Sequence, residues 1–255
     1  SAKTQNDTIK AEITGLDIYT KYYVRAYVVN ETGVNYGENL SFTTLPDIVK
    51  FFVVGTNNGW TNNSTAPFIE STATNPEAQG YVYFPDPGSF KLTTDHSWDN
   101  DHTFGDDGSG GLTNPGGNIT VSTAGYYLIK ADLTNMTYSI TLTTWGIIGD
   151  ATAGGWGSQT NMNYNTTTKV FSLAANLTDG GTFKFRGTSD WNINYGSTAA
   201  DGSTLDPGGS NIPVTVTADY AITLDLSAPN DYKYSANRWG AIGDFNSWGA
   251  SQAMI

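Results

Sequence analysis

The feature that most constrains this chain is that it repeats itself. One segment reads Phe90-Lys91-Leu92-Thr93, Ser97-Trp98, Phe104-Gly105 and Asn114-Pro115-Gly116-Gly117-Asn118-Ile119. A later one reads Phe183-Lys184-Phe185-Arg186, Asp190-Trp191, Tyr195-Gly196 and Asp206-Pro207-Gly208-Gly209-Ser210-Asn211-Ile212. Trp98 and Trp191 stand 93 positions apart, and Pro115 and Pro207 stand 92 apart. The opening of the unit occurs three times: Val53-Val54-Gly55 before Gly59-Trp60, Ile147-Ile148-Gly149-Asp150 before Gly155-Trp156, and Ala241-Ile242-Gly243-Asp244 before Ser247-Trp248. Agreement in order, spacing and residue type means tandem modules. The expected division is 46–144 for the first module, 145–236 for the second and 237–255 for the start of a truncated third.

The modules read as strands. Short β-rich runs at 49–55, 80–84, 90–93, 119–121, 126–132 and 136–142, with counterparts one repeat later, are separated by Gly, Pro and Asn turns. This pattern predicts an all-β protein of tandem immunoglobulin-like β-sandwich modules. A short helical turn is expected only in the 71–79 insert, where Pro76 suits a first helical position. Residues 1–45 do not share the repeat. Tyr22 to Asn30 and Leu40 to Thr43 flank Glu31-Thr32-Gly33 as a hairpin. Together with Leu16 ahead of Tyr22 they resemble the last strands of a fibronectin type III or Ig-like domain, with Leu45-Pro46-Asp47 as linker.

Composition removes whole classes of function. The 255 residues carry 12 Lys and Arg against 24 Asp and Glu, a net charge of −12. That argues against a phosphate-binding surface and hence against nucleic acid. With no Cys there is no disulfide, thiolate nucleophile or Cys-ligated zinc. The two His, His96 and His102, sit in one polar loop that the second module does not reproduce. Asp99, Asp101, Asp106 and Asp107 miss the EF-hand spacing. Asp150 and Asp244 recur in a Gly-Asp turn, but the first module has Thr56 there, and such a carboxylate is ordinarily a turn former. No enzyme, metal or cofactor is expected.

Aromatics are the stronger signal, at 13% of the chain with 7 Trp. In the strand 183–186 the two Phe face one side, and Lys184 and Arg186 share the other. Trp98 and Trp191 lie in polar loops and are expected to be exposed. Trp60, Trp156 and Trp248 come after glycine or serine turns and are expected to anchor the core. Trp145 and Trp239, with Phe51 at the same place in the first module, suit either a core anchor or an exposed platform. Exposed indole beside Lys, Arg and Asn suits carbohydrate: the C–H face of a pyranose packs on the ring, and Arg bridges neighbouring hydroxyls.

The Trp145-Gly146-Ile147-Ile148-Gly149-Asp150 start, the Phe-Lys-Phe-Arg strand, Asp190-Trp191 with Asn194-Tyr195-Gly196, and the later Pro-Gly-Gly turn resemble the SusE/SusF proteins of Bacteroidetes-type starch utilisation. The resemblance spans 47–255. It implies a non-catalytic, lipid-anchored protein of the outer membrane's extracellular face, with tandem modules binding starch or maltooligosaccharide. It implies paired aromatics with Lys or Arg at each site. Carried over, the second module's site is Trp145, Trp191, Lys184 and Arg186, with Asn194 beside them. The first module's site is Trp98 and Lys91 with Phe51, but Phe51 replaces the opening Trp and Thr93 replaces the Arg. The expected partners are an α-glucan and an outer-membrane glycan transporter complex, and the chain is expected to be a monomer. A binder of another polysaccharide, or a structural adhesin without a glycan site, remains the alternative.

Overall fold

The computed structural model describes residues 13–16, 20–43, 48–197 and 203–238, and the backbone of the short paired strands Gly240–Ala241 and Gln252–Ala253. Among these residues every regular element is a strand, apart from one 3-10 turn at Thr56–Asn58. The protein is all-β. The linker Leu45-Pro46-Asp47, and Trp239, Asp244 and Trp248 of the third start, lie outside the described residues.

The N-terminal hairpin turns at the expected place, but Gly33 opens a strand, Gly33–Tyr36, that the sequence reading does not include. Tyr27–Asn30 pairs with Gly33–Tyr36 in a register that leaves Glu31-Thr32 as the turn. The Asn30 carboxamide oxygen accepts from both the backbone N–H and the hydroxyl of Thr32, which closes that turn. Lys21–Val24 and Leu40–Thr43 extend the pairing, with Tyr22 opposite Phe42.

In the first module one sheet curls around its own core. Its path runs Leu112–Thr113, Thr103–Asp106, Gly88–Thr93, Lys50–Gly55, Phe68–Thr72, Asn75–Phe84, Gly125–Asp132, Thr137–Thr143, with Ile119–Val121 joined to Gly88–Thr93. Alternation decides which side chains go in. Phe51 and Val53, Phe90 and Leu92, Val82 and Phe84, and Tyr127 and Ile129 all enter one core. The insert expected to hold a helical turn is instead two paired strands, Phe68–Thr72 and Asn75–Phe84. The Thr72 hydroxyl accepts from the backbone N–H groups of Thr74 and Asn75 and shapes the turn. A register shift between Glu70 and Thr72 makes room for Pro76, which has no N–H to give a regular ladder.

The second module is two sheets face to face. One contains Gly146–Ile148, Thr160–Asn161, Thr182–Arg186, Asn194–Gly196 and Asp206–Pro207, with Ile212–Pro213 joined to Thr182–Arg186. The other runs Asn163–Asn165, Val170–Leu177, Ala218–Asp225, Lys233–Arg238. Phe183, Phe185, Phe171, Ile222 and Leu224 fill the space between them. The repeated glycine of the module opening has a steric cause. A Cβ on Gly55 would lie 2.2 Å from the Ser89 carbonyl oxygen, and one on Gly149 would lie 2.1 Å from that of Thr182. At this glycine the opening strand lies against its antiparallel Phe-Lys neighbour too closely for any side chain.

The modules share apolar surface. Tyr81, Tyr126 and Leu128 point out of the first module's sheet and join the core of the second. Tyr81 meets Trp145 edge-on at 5.4 Å, and its hydroxyl lies 3.2 Å from that of Tyr195. Each such buried ring is worth roughly 1.5–3 kcal/mol, so the two modules are held together by core packing rather than by a tether alone.

Candidate functional site

Two tryptophans of the second module face each other in the open. Trp156 is 40% exposed and Trp191 46%, with ring centroids 6.0 Å apart and planes inclined at 40°. Trp156 sits at the end of the loop that leaves Gly149. Gly155 there takes a φ of 57°, and its carbonyl accepts from the Gly149 N–H, which folds the loop back on the strand. Trp191 sits in a loop organised by Asp190. That carboxylate accepts from the Thr188 hydroxyl at 2.6 Å and from the backbone and side-chain nitrogens of Asn192. The Thr188 hydroxyl, then the Asn192 N–H, hold its carboxyl below the usual carboxylate range, and the Arg186 charge adds to the effect.

Lys184 and Arg186 project from the same strand face, opposite Phe183 and Phe185, as alternation requires. The Arg186 guanidinium lies 5.3 Å from the centre of the Trp191 ring, and its Nε donates to Gln159 Oε1 at 2.7 Å. One edge of the fork is thereby fixed, and its terminal nitrogens make no hydrogen bond among the described residues. Burial pulls the Lys184 ammonium below the usual lysine range, and it makes no hydrogen bond among the described residues.

Three of the sequence-expected residues are placed elsewhere. Trp145 is 1% exposed, packed on Tyr81, Tyr195 and Phe171, and Phe51 is wholly buried against Phe104. Neither ring can receive a ligand. The reason is period-two alternation: Trp145 shares a face with Ile147, and Phe51 with Val53, and those faces are core. Asn194 donates its amide to the Trp191 carbonyl at 2.8 Å, so it braces the loop from behind.

The residue that replaces Trp145 opposite Trp191 is Trp156, expected from the sequence to be a core anchor. The same holds in the first module. Trp60 and Trp98, 37% and 46% exposed, stand 6.2 Å apart at 44°. Repetition was the available signal, since both pairs recur at matching places while the glycine turns ahead of Trp60 and Trp156 lift them off the sheet.

The first-module pair has different neighbours. Thr93 stands where the second module has Arg186. Its hydroxyl donates to Asn62 Oδ1, and Asn62 in turn donates to the Ser97 carbonyl next to Trp98. Lys91 is spent on the Gly116 carbonyl at 2.5 Å. His96 lies on Phe52, and His102 pairs with Asp99 at 2.7 Å. The Asp99 hydrogen bond raises the His102 pKa from its ordinary value. Among the described residues no cation lies over Trp60 or Trp98.

The carboxylates weighed for other chemistry accept from the protein's own backbone and hydroxyls. Asp150 accepts from the N–H and hydroxyl of Thr182, Asp106 from Gly108 and Gly110, and Asp107 from Ser109 and Gly111. No cluster of three His, Asp or Glu placed to hold a metal ion occurs among the described residues.

These features define an all-β protein of repeated modules, each presenting a tilted pair of exposed indoles. Residues 50–139, the body of the first module, match the family model described as SusF/SusE starch specific CBMs. That match lies in the first module, one repeat ahead of the second-module motifs that carry the SusE/SusF resemblance. No curated protein matches the chain. The crystal structure of SusF from Bacteroides thetaiotaomicron is similar at 18% identity with a TM-score of 0.32. The match covers 91% of this chain and 62% of that one, so this chain spans under two thirds of that protein's length.

Proposed function

We propose that the chain is a non-catalytic glycan-binding protein that takes α-1,4-glucan, starch or maltooligosaccharide, on its exposed tryptophan pairs. The observation that carries this is the pair Trp156 and Trp191, inclined at 40° with the Arg186 guanidinium beside Trp191. Flat chains of the cellulose type suit coplanar rings. A curved α-glucan presents successive C–H faces at an angle, which an inclined pair matches. Arg186 supplies hydrogen bonds to vicinal hydroxyls, and Lys184 adds a cationic donor on the same strand face. The starch-specific description of the family matched by residues 50–139 supports the same ligand class.

Trp60 and Trp98 form a second site with the same rings and no cation over them. Stacking with a few exposed hydrogen bonds gives affinities on the order of micromolar to millimolar. Two such sites on one docked pair of modules gain avidity through effective concentration. In the whole protein this activity belongs on the extracellular face of an outer membrane, held there by a lipid anchor, as a monomer passing glycan to an outer-membrane transporter. No described helix is long and apolar enough to cross a membrane.

The test is affinity electrophoresis in gels containing starch. The wild type is retarded, and Trp191→Ala and Trp156→Ala each lose most of that retardation. Full retardation of the double variant W156A/W191A, with W60A/W98A added, overturns the reading.

A further inference from the structure

The junction between the modules holds two clefts that neither tryptophan pair uses. One, about 650 Å³, is lined by Tyr81, Tyr195, Asp190 and Lys130. Its charged groups and tyrosines are already committed: the two tyrosine hydroxyls to each other, Asp190 to its own loop, and Lys130 to Glu77 at 2.7 Å.

The other cleft, about 610 Å³, is different in kind. Its floor is aromatic and comes from both modules. Tyr83 projects from the outer face of Asn75–Phe84 in the first module, and Tyr164 comes from Asn163–Asn165 in the second. Their ring centroids are 4.7 Å apart at 39°, both half-buried. Its rim is polar and equally shared. Ser64 comes from the loop that carries Trp60, and Thr166 and Lys169 come from the hairpin after Tyr164. The side chains of Ser64, Thr166 and Lys169 make no hydrogen bond among the described residues. No carboxylate is among the lining residues. Burial pushes the Tyr164 hydroxyl up to about 12, so it remains a proton donor across the neutral range.

A tilted aromatic floor, a rim of hydroxyls and one ammonium, and no anionic group describe a receptor for a neutral polyhydroxylated ligand. The volume lies well inside the roughly 300–1,000 Å³ range of small-molecule sites. We propose that this cleft is a further carbohydrate subsite, assembled jointly by the two modules, which takes the end of a short neutral oligosaccharide. The ligand class rests on the reading above, but none of the residues does: Trp60, Trp98, Trp156, Trp191 and Arg186 all lie outside the cleft. A ligand held by Tyr83 and Tyr164 together binds only the docked pair of modules, so occupancy stabilises the docking by mass action.

The experiment is a maltotriose titration of the full chain monitored by two-dimensional amide and indole NMR. The backbone amides of Ser64, Thr166 and Lys169 should shift together with saturation, in the wild type and equally in W156A/W191A. Thr166→Trp, which fills the cleft from its rim, should weaken those shifts at least tenfold while the Trp191 indole still responds. If Thr166→Trp fails to fold, Ser64→Trp blocks the opposite rim and serves the same purpose. Shifts at the Trp156 and Trp191 indoles with none at the three amides overturn the junction subsite and leave the tryptophan-pair reading standing. Shifts at the amides with none at the indoles do the reverse. Silence at both sets overturns both.

Discussion

Trp145 and Tyr81 meet edge to face across the module boundary, 5.4 Å between centroids and 76° between planes, although 64 positions separate them in the chain. The contact gives two tryptophans of one module opposite roles. Trp145 is structural mortar, and Trp191 is surface.

Replacing each by alanine separates those roles. Trp145→Ala removes a fully buried indole and should cost about 3–5 kcal/mol in denaturant unfolding. Trp191→Ala should stay within about 0.5 kcal/mol of the wild type while losing glycan retention. Equal stability of the two variants would refute the assignment.

Arg186 should set the difference between the two modules. Arg186→Thr gives the second module the first module's residue at that place. It removes a charge-assisted donor worth roughly 1.5–3 kcal/mol, so affinity should fall on the order of tenfold or more, as read by calorimetry on the full chain. Gln159→Ala should cost less, because it frees the fork without removing it.

Gly149→Ala tests the close approach of these strands. The added Cβ would fall 2.1 Å from the Thr182 carbonyl oxygen and 2.5 Å from Phe183 Cα, at a φ of 156°. Both partners are backbone and neither yields cheaply. A drop in melting temperature of several degrees is expected, and an unchanged melt would contradict that close approach.

The Trp98 loop should respond to pH. The hydrogen bond to Asp99 chiefly raises the His102 pKa, and the Ser97 hydroxyl, then His102, lower that of Asp99. A raised histidine pKa contributes stability that is full below the ordinary value near 6.5 and is lost as pH rises through the raised one. The depressed Asp99 pKa contributes stability present above 3.8 and lost as pH falls through the lowered value. The pair therefore braces the loop at mildly acidic pH. NMR titration of the His102 ring should give a midpoint above 6.5, and Asp99→Asn should move it down.

Much of this was legible from the residues, and the failures have causes. The repeat announced the modules, and the Phe-Lys-Phe-Arg alternation placed Lys184 and Arg186 outward, where they are. The same alternation, applied to Trp145-Gly146-Ile147, puts that indole in the core. Its position one repeat from Phe51, a residue with no polar edge, pointed the same way. Trp156 escaped because a large aromatic just after a glycine turn is usually buried. Here the turn ends in a left-handed Gly155, which swings the indole outward. Tyr81, Tyr126 and Leu128 could not be assigned to the second module's core, since the outer face of a strand shows no sign of the neighbour that will cover it.

That covering has a practical consequence for anyone cutting the protein apart. A fragment beginning at Trp145 keeps every strand of the second module but loses three side chains of its core, Tyr81 on the indole among them. The severed piece would carry a raw aromatic scar, prone to self-association, at the place where its upstream companion used to sit. In this chain the smallest self-contained body is a couple, and the seam drawn by the repeat is not a place to cut.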